Sequence, residues 1–235
     1  DNDGGDYGAR LINSVATGSW TNGQYDFDFS GNFARATVVD GPFQTLQVGT
    51  VLADNDGATS HLIGVDMKAT TDTDCTVADD CDAQLIGELD VRFGQLKLSN
   101  VFGPEVSDLD MNVQTEYFDG ADFVLNTDDS CTVLFDTDPP LTADSTSYTD
   151  NLVDGDTTPA LDSNIISGLG VIQFSSAGLG NEGSVIYSYD TNTYLPWLNT
   201  ENDNDGDYAD NPFGKVTFGQ FRGTDRVIYW REIVR

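Results

Sequence analysis

The sequence predicts an all-β protein: an antiparallel β-sandwich, Ig-like or jelly-roll-like, with long irregular loops and little helix. Three observations lead there. Apolar and polar residues alternate with a period of two in many short runs, the mark of strands with one wet face. Turn signals rich in Gly, Asn and Asp separate the runs, roughly every 8–12 residues. No amphipathic stretch reaches the length of about 12 residues that a helix needs. The chain has 235 residues, enough for one substantial core or two small ones. Its apolar fraction of 38% is low, but 13 Phe, 9 Tyr and 3 Trp argue against disorder.

The elements follow in chain order. Tyr25-Asp26-Phe27-Asp28-Phe29 alternates ring and carboxylate, and residues 46–52 form the next run. A turn at Asp54-Asn55-Asp56-Gly57 leads to a candidate strand over residues 61–67. Residues 85–98 hold two alternating runs around Gly94, and residues 111–118 place Val113, Thr115 and Tyr117 on one side. Asp119-Gly120 is a hairpin signal, with Phe123-Val124-Leu125 returning. Residues 131–135 are a short apolar run. Residues 136–163, opening on Pro139-Pro140, read as a long polar connection. Strand signals resume at 170–174, 184–189 and 215–221, and after a Gly223-Thr224-Asp225 turn at 226–234. The expected organisation is an N-terminal segment, residues 1–30, exchanged between subunits, and a sandwich over residues 31–235. A subdivision near 136–163 stays open.

Charge carries the strongest functional signal. The chain has 34 Asp against 6 Glu, 10 Lys plus Arg and one His, for a net charge of −30. Such a skin repels nucleic acid and anionic membranes, which require basic patches. It suits salty surroundings or bound cations. No run of about 18 apolar residues is present to span a bilayer. A chain that opens at Asp1 rather than Met is expected to be a processed form. Five of the ten basic residues, including Arg226, Arg231 and Arg235, lie in the last 21 positions. That basic hairpin is a candidate subunit contact, or pairs with the chain's own carboxylates.

Asp is the acid that closes turns and reaches a cation from a loop. The best candidate site is the loop 201–210, where Asp203, Asp205, Asp207 and Asp210 have alternating spacing and Gly206 allows a sharp turn. Calcium takes six to eight hard oxygens, so it is the expected ion. The Glu that would close an EF-hand is missing, and Pro212 stands there instead. Asp54, Asp56 and Asp66 form a weaker group, and Asp1, Asp3 and Asp6 a weaker one still; their surroundings echo residues 203–208. The alternative in each case is a solvated acidic turn. Cys75 and Cys81 bracket a short polar loop and are expected to form a disulfide, with Cys131 left over; the alternative is three unpaired thiols. Zinc is disfavoured, because the third Cys is distant and His61 lies apart.

Enzyme readings fare poorly. One His leaves a Ser/His/Asp triad a single possible base. Glu88-Leu89-Asp90 resembles the opening of a glycosidase carboxylate strand, but Arg92 occupies the position of the second acid. Trp20, Trp197 and Trp230 are expected to be buried.

Several stretches together resemble a known family. They are Asp40-Gly41-Pro42-Phe43 with Leu46-Gln47-Val48-Gly49; residues 91–100, reading VRFGQLKLSN; Glu116-Tyr117-Phe118-Asp119-Gly120; residues 126–132; Leu195-Pro196-Trp197-Leu198; and residues 216–232. The chain is similar, from about residue 30 to its end, to the C-terminal domain of MshQ-like proteins, which accompany the mannose-sensitive haemagglutinin pilus system. The resemblance implies an extracellular or cell-surface, pilus-associated or adhesin-like protein. It supplies no catalytic residues. The expected function is therefore a non-enzymatic surface protein, a homo-oligomer or filament subunit joined by β-strand and calcium contacts. The alternative is a module that binds surface glycans.

Overall fold

The structure, a computed structural model, describes residues 7–22, 24–50, 84–134, 141–161 and 164–219. It is built of β-strands with very little helix. The chain divides into two compact units: Asp1–Phe93 with Tyr117–Val124, and Gly94–Glu116 with Leu125–Arg235. The connection over residues 136–163 lies wholly inside the second unit.

In the first unit, β1 (Leu11–Thr21) and β2 (Gln24–Phe33) form an antiparallel hairpin, and β3 (Phe43–Thr50) pairs antiparallel with β4 (Gln84–Val91). Asn22, at φ 51°, turns the hairpin, and Asn13, at φ 52°, sits where the register of β1 shifts. Asn tolerates this left-handed conformation better than most side chains. Arg10 ties the base of the hairpin: its Nε donates to Ala34 O at 2.8 Å, its guanidinium pairs with Asp40 and it lies 4.2 Å from the centroid of Phe33. The rings of Tyr7 and Phe33 both meet Phe43 edge-on, at 4.9 and 6.0 Å.

The second unit is a two-sheet sandwich. One sheet runs β10 (Pro159–Leu161), β11 (Leu169–Phe174), β7 (Leu109–Phe118), β5 (Gly94–Leu98), with β8 (Phe123–Leu125) also on β7; the end of β7 from Tyr117 and the start of β8 through Val124 count with the first unit. The other runs β6 (Val101–Gly103), β13 (Phe213–Phe218), β12 (Gly183–Tyr189), β9 (Leu141–Ala143). Alternation explains both. Leu109, Met111 and Val113 of β7, Ile172 and Phe174 of β11, Val185, Tyr187 and Tyr189 of β12, and Val216 and Phe218 of β13 all point inward. The Phe174 and Tyr187 rings meet across the two layers at 4.8 Å. Burial pushes the Tyr187 phenol up from its ordinary value, so it stays protonated in the core.

Two features differ from the expectation. β6 pairs with β13 in parallel, Val101 opposite Val216, inside an otherwise antiparallel sheet. The polar connection carries β9 and β10, and residues beyond β9 continue along β12, with Asp144 N, Thr149 N and Asn151 N donating to Ile186 O, Ser184 O and Glu182 O. The apolar run at Cys131 forms no strand through Leu134; buried Leu134 packs into the core from an irregular segment.

Asp129 fastens that segment. Its Oδ1 accepts from Cys131 N at 3.2 Å and Thr132 N at 3.0 Å, its Oδ2 from Thr132 Oγ1 at 2.7 Å, and its carbonyl from Gly168 N at 2.8 Å. Burial alone would raise the carboxyl's pKa, but the Thr132 hydroxyl and the Thr132 and Cys131 amides outweigh it, and the pKa is lowered. A carboxyl depressed on folding contributes stability that is present above its unfolded pKa, about 4, and is lost as pH falls through the folded value. Asp129→Ala is expected to cost about 1–3 kcal/mol by stranding these donors. In urea denaturation at neutral pH the variant's midpoint should drop, and the gap from the parent should narrow at acid pH. An unchanged midpoint would mean that the turn holds itself.

Candidate metal site

The loop 201–209 is framed before it is filled. Asp190 caps the single turn of helix Thr191–Tyr194, its Oδ1 accepting from Thr193 N at 3.2 Å. A 3-10 turn, Pro196–Leu198, follows and buries Leu198. Thr200 and Asp210 then exchange backbone hydrogen bonds at 2.9 Å each way, closing the loop at its base. Asn211 braces the rim from beneath: its Oδ1 accepts from Thr191 Oγ1 at 3.1 Å and Asn192 N at 3.0 Å.

Within the loop each Asp folds back on the chain. Asp203 Oδ1 accepts from Asp205 N, Asp205 Oδ1 from Asp207 N, and Asp207 Oδ1 from Ala209 N, at 3.1, 2.9 and 3.0 Å. These are Asx turns in series. Asn204 and Gly206 take positive φ, 62° and 89°, which lets the turns follow one another so closely. Asp210 Oδ2 is occupied by Asn202 N at 2.9 Å.

The structure thus brings together Glu201, Asp203 and Asp205, each with one carboxylate oxygen within 4.8 Å of the others. Asp207 and Asp210 fall outside this cluster, with Asp207 Oδ1 held by Ala209 N and Asp210 Oδ2 by Asn202 N. Glu201 Oε1 is shielded from water and has no hydrogen-bond partner among the described residues. A buried carboxylate oxygen without a partner is costly, and a cation removes the cost. Three hard anionic oxygens suit calcium and supply part of its shell. Sequence spacing pointed to the Asp series; the signal for Glu201 was only its place at the mouth of the loop.

A partly buried polar chain supports the loop. Thr200 Oγ1 donates to Gln95 Oε1 at 3.3 Å, Gln95 Nε2 to Glu116 Oε2 at 2.8 Å, and Lys97 Nζ pairs with Glu116 Oε1 at 2.9 Å. Glu116, on β7, is only 6% exposed, so the loop's base is tied to the sandwich through a carboxylate fully engaged by two donors.

The other expected residues fall as follows. Asp54, Asp56, Asp66, His61, Cys75, Cys81, Arg226, Arg231, Arg235, Trp230 and the Asp1 to Asp6 group lie outside the described residues. Cys131 is a free, exposed thiol with Sγ 3.7 Å from Asp129 Oδ1. Glu88 and Asp90 are exposed on β4, and the Arg92 guanidinium lies 4.4 Å from the Tyr117 ring centroid. Trp197 corrects its expectation: it is 54% exposed, because Leu198 takes the inward position of the 3-10 turn.

Strands, sandwich and acidic loop define a class: an all-β module with a carboxylate-lined loop at one edge of its core. Residues 92–233 match the fourth domain of the DUF6701 family, a domain of unknown function, and the chain belongs to that family. No curated protein and no solved structure matches it. Among the described residues no helix is long and apolar enough to cross a membrane.

Gln95→Leu keeps the side chain's bulk but strands Thr200 Oγ1 and removes a donor from buried Glu116. It is expected to lower stability by about 1–3 kcal/mol. Hydrogen exchange at Thr200 and Asp210 amides should quicken in the variant; unaltered protection there would separate the loop from the chain beneath it.

Proposed function

We propose that the chain is an extracellular, cell-surface structural module that takes up calcium at Glu201, Asp203 and Asp205 and assembles, through that ion and through strand contacts, into a pilus-associated or filamentous homo-oligomer. The carrying observation is the carboxylate cluster with the shielded, unpartnered Glu201 Oε1. Three carboxylates leave several positions of a calcium shell for carbonyls, water or a neighbouring molecule. A chain of net charge −30 repels its own copies, and shared divalent ions remove that repulsion. The similarity to MshQ-like proteins supports the pilus setting. No enzymatic role is proposed. The N-terminal segment and the basic C-terminal residues Arg226, Arg231 and Arg235 are the proposed crossing points between subunits.

Calcium at about a hundredfold its Kd should stabilise the fold by about 2.7 kcal/mol, a rise in Tm of several degrees for a chain of this length. Thermal melts with calcium and with EGTA measure it. The double variant Asp203→Asn, Asp205→Asn should melt alike in both. Negative-stain images should show polymers in calcium that disperse in chelator. Identical melts in both buffers would sink the metal; single particles in both would sink the assembly.

A further inference from the structure

We propose that the outer face of the β6-β13-β12 sheet, with the cleft at its edge, binds a neutral carbohydrate. The site lies wholly in the second unit and does not depend on the cation loop. The cleft holds about 810 Å³, within the size range of small-ligand sites, and its walls are hydrogen-bonding groups rather than hydrocarbon. Thr149, Asn151, Glu182, Ser184, Lys215 and Thr217 line it.

Its shape comes from the backbone. Gly183 has φ 150°, and a Cβ there would stand 2.0 Å from Thr149 O, so glycine alone lets the 149–151 segment lie against β12. Thr149 N then donates to Ser184 O at 3.0 Å and Asn151 N to Glu182 O at 2.9 Å. The Thr149 and Ser184 hydroxyls meet at 3.1 Å on the floor. Thr217 sits opposite Ser184 in register, so a third hydroxyl continues the row. Among the described residues the Thr217 hydroxyl, the Asn151 amide and the Lys215 ammonium make no hydrogen bond, so they are available to a ligand.

The chemistry selects the ligand. Lys215 shares the cleft with Asp150 and Glu182 in a strongly acidic chain, which disfavours an anion. The polar lining disfavours a lipid or an apolar peptide. A neutral polyol offers hydroxyls that both donate and accept, matching the amide, ammonium, hydroxyls and carboxylates together. The same sheet face adds apolar surface. Phe213, 50% exposed, precedes Lys215 by two residues and so shares its side of β13. The half-exposed Phe213 ring supplies an apolar platform next to the cleft on which the C–H face of a pyranose can lie.

The test uses the whole chain. Neutral gluco- and galacto-oligosaccharides, with a polyuronate as acidic control, are titrated while amide NMR shifts are followed, and a glycan array surveys other neutral sugars. Expected are shifts centred on Gly183, Ser184, Thr217 and Gly219, and affinity reduced about tenfold, equivalent to about 1.4 kcal/mol, by Lys215→Ala, Asn151→Ala or Phe213→Ala. Lys215 and Asn151 are exposed, so folding is preserved; Thr217→Val tests the hydroxyl within a strand-compatible side chain. Array binding to no neutral glycan, binding of the polyuronate alone, or binding indifferent to these variants would overturn the proposal. Sugar binding lost in EGTA and in the Asp203→Asn, Asp205→Asn variant would also overturn it, by moving the sugar to the cation loop.

Discussion

Among the described residues, acidic side chains are held by backbone N–H groups more than by cationic partners, and much of the structure depends on that arrangement. With 40 acidic residues against 10 basic ones, ion pairing can serve only a minority. Asp119, Asp129 and Asp144 instead accept from amides two or three residues further on, and each has its pKa lowered. Asp119 and Asp144 lie in solvent and set local turns; Asp129 is buried and holds a core segment in place. The same habit, repeated at Asp203, Asp205 and Asp207, builds the loop proposed to hold calcium. The excess of Asp over Glu follows: the shorter side chain reaches the nearby amide without a further rotamer to fix.

The core obeys the ordinary rule of two facing sheets. Strands whose alternation runs five residues or more were legible in the sequence: β2, β3, β4, β5, β7, β11, β12 and β13 lie where period-two patterning puts them. β6, β9 and β10 are three residues each, too short to show a period, and exist because neighbouring strands offer unpaired backbone. Pro159 opens β10 at a sheet edge, a position where its missing N–H does no harm. β1 was not legible because Asn13 and Gly18 interrupt its apolar residues, and its pairing comes from the hairpin turn at Asn22.

The site was legible in part. Asp spacing and Gly206 located the loop, since turn chemistry is local. Which oxygens converge was not, because that depends on where the chain enters. The Thr200 to Asp210 bridge sets the entry, turns Asp210 back onto Asn202, and leaves Glu201 beside Asp203 and Asp205. The cleft beside Lys215 carried no sequence signal, for it joins residues near 150, 183 and 217 that only the sheet assembles. Exposed Trp197 escaped for a related reason: three consecutive residues of a 3-10 turn cannot all face inward, and Leu198 does.

The parallel pairing of β6 with β13 has a bearing on how the molecule forms. Lys215 N donates to Asn100 Oδ1 across 115 positions, and Val101 sits opposite Val216. Such a distant contact closes only after the intervening chain has been made, and long-range pairings are the slow ones. During synthesis the segment around β6 therefore emerges without its strand partner and stays unpaired until β13 arrives. A chain truncated before β13 would lack a neighbour for both β6 and β12 on that side of the sheet.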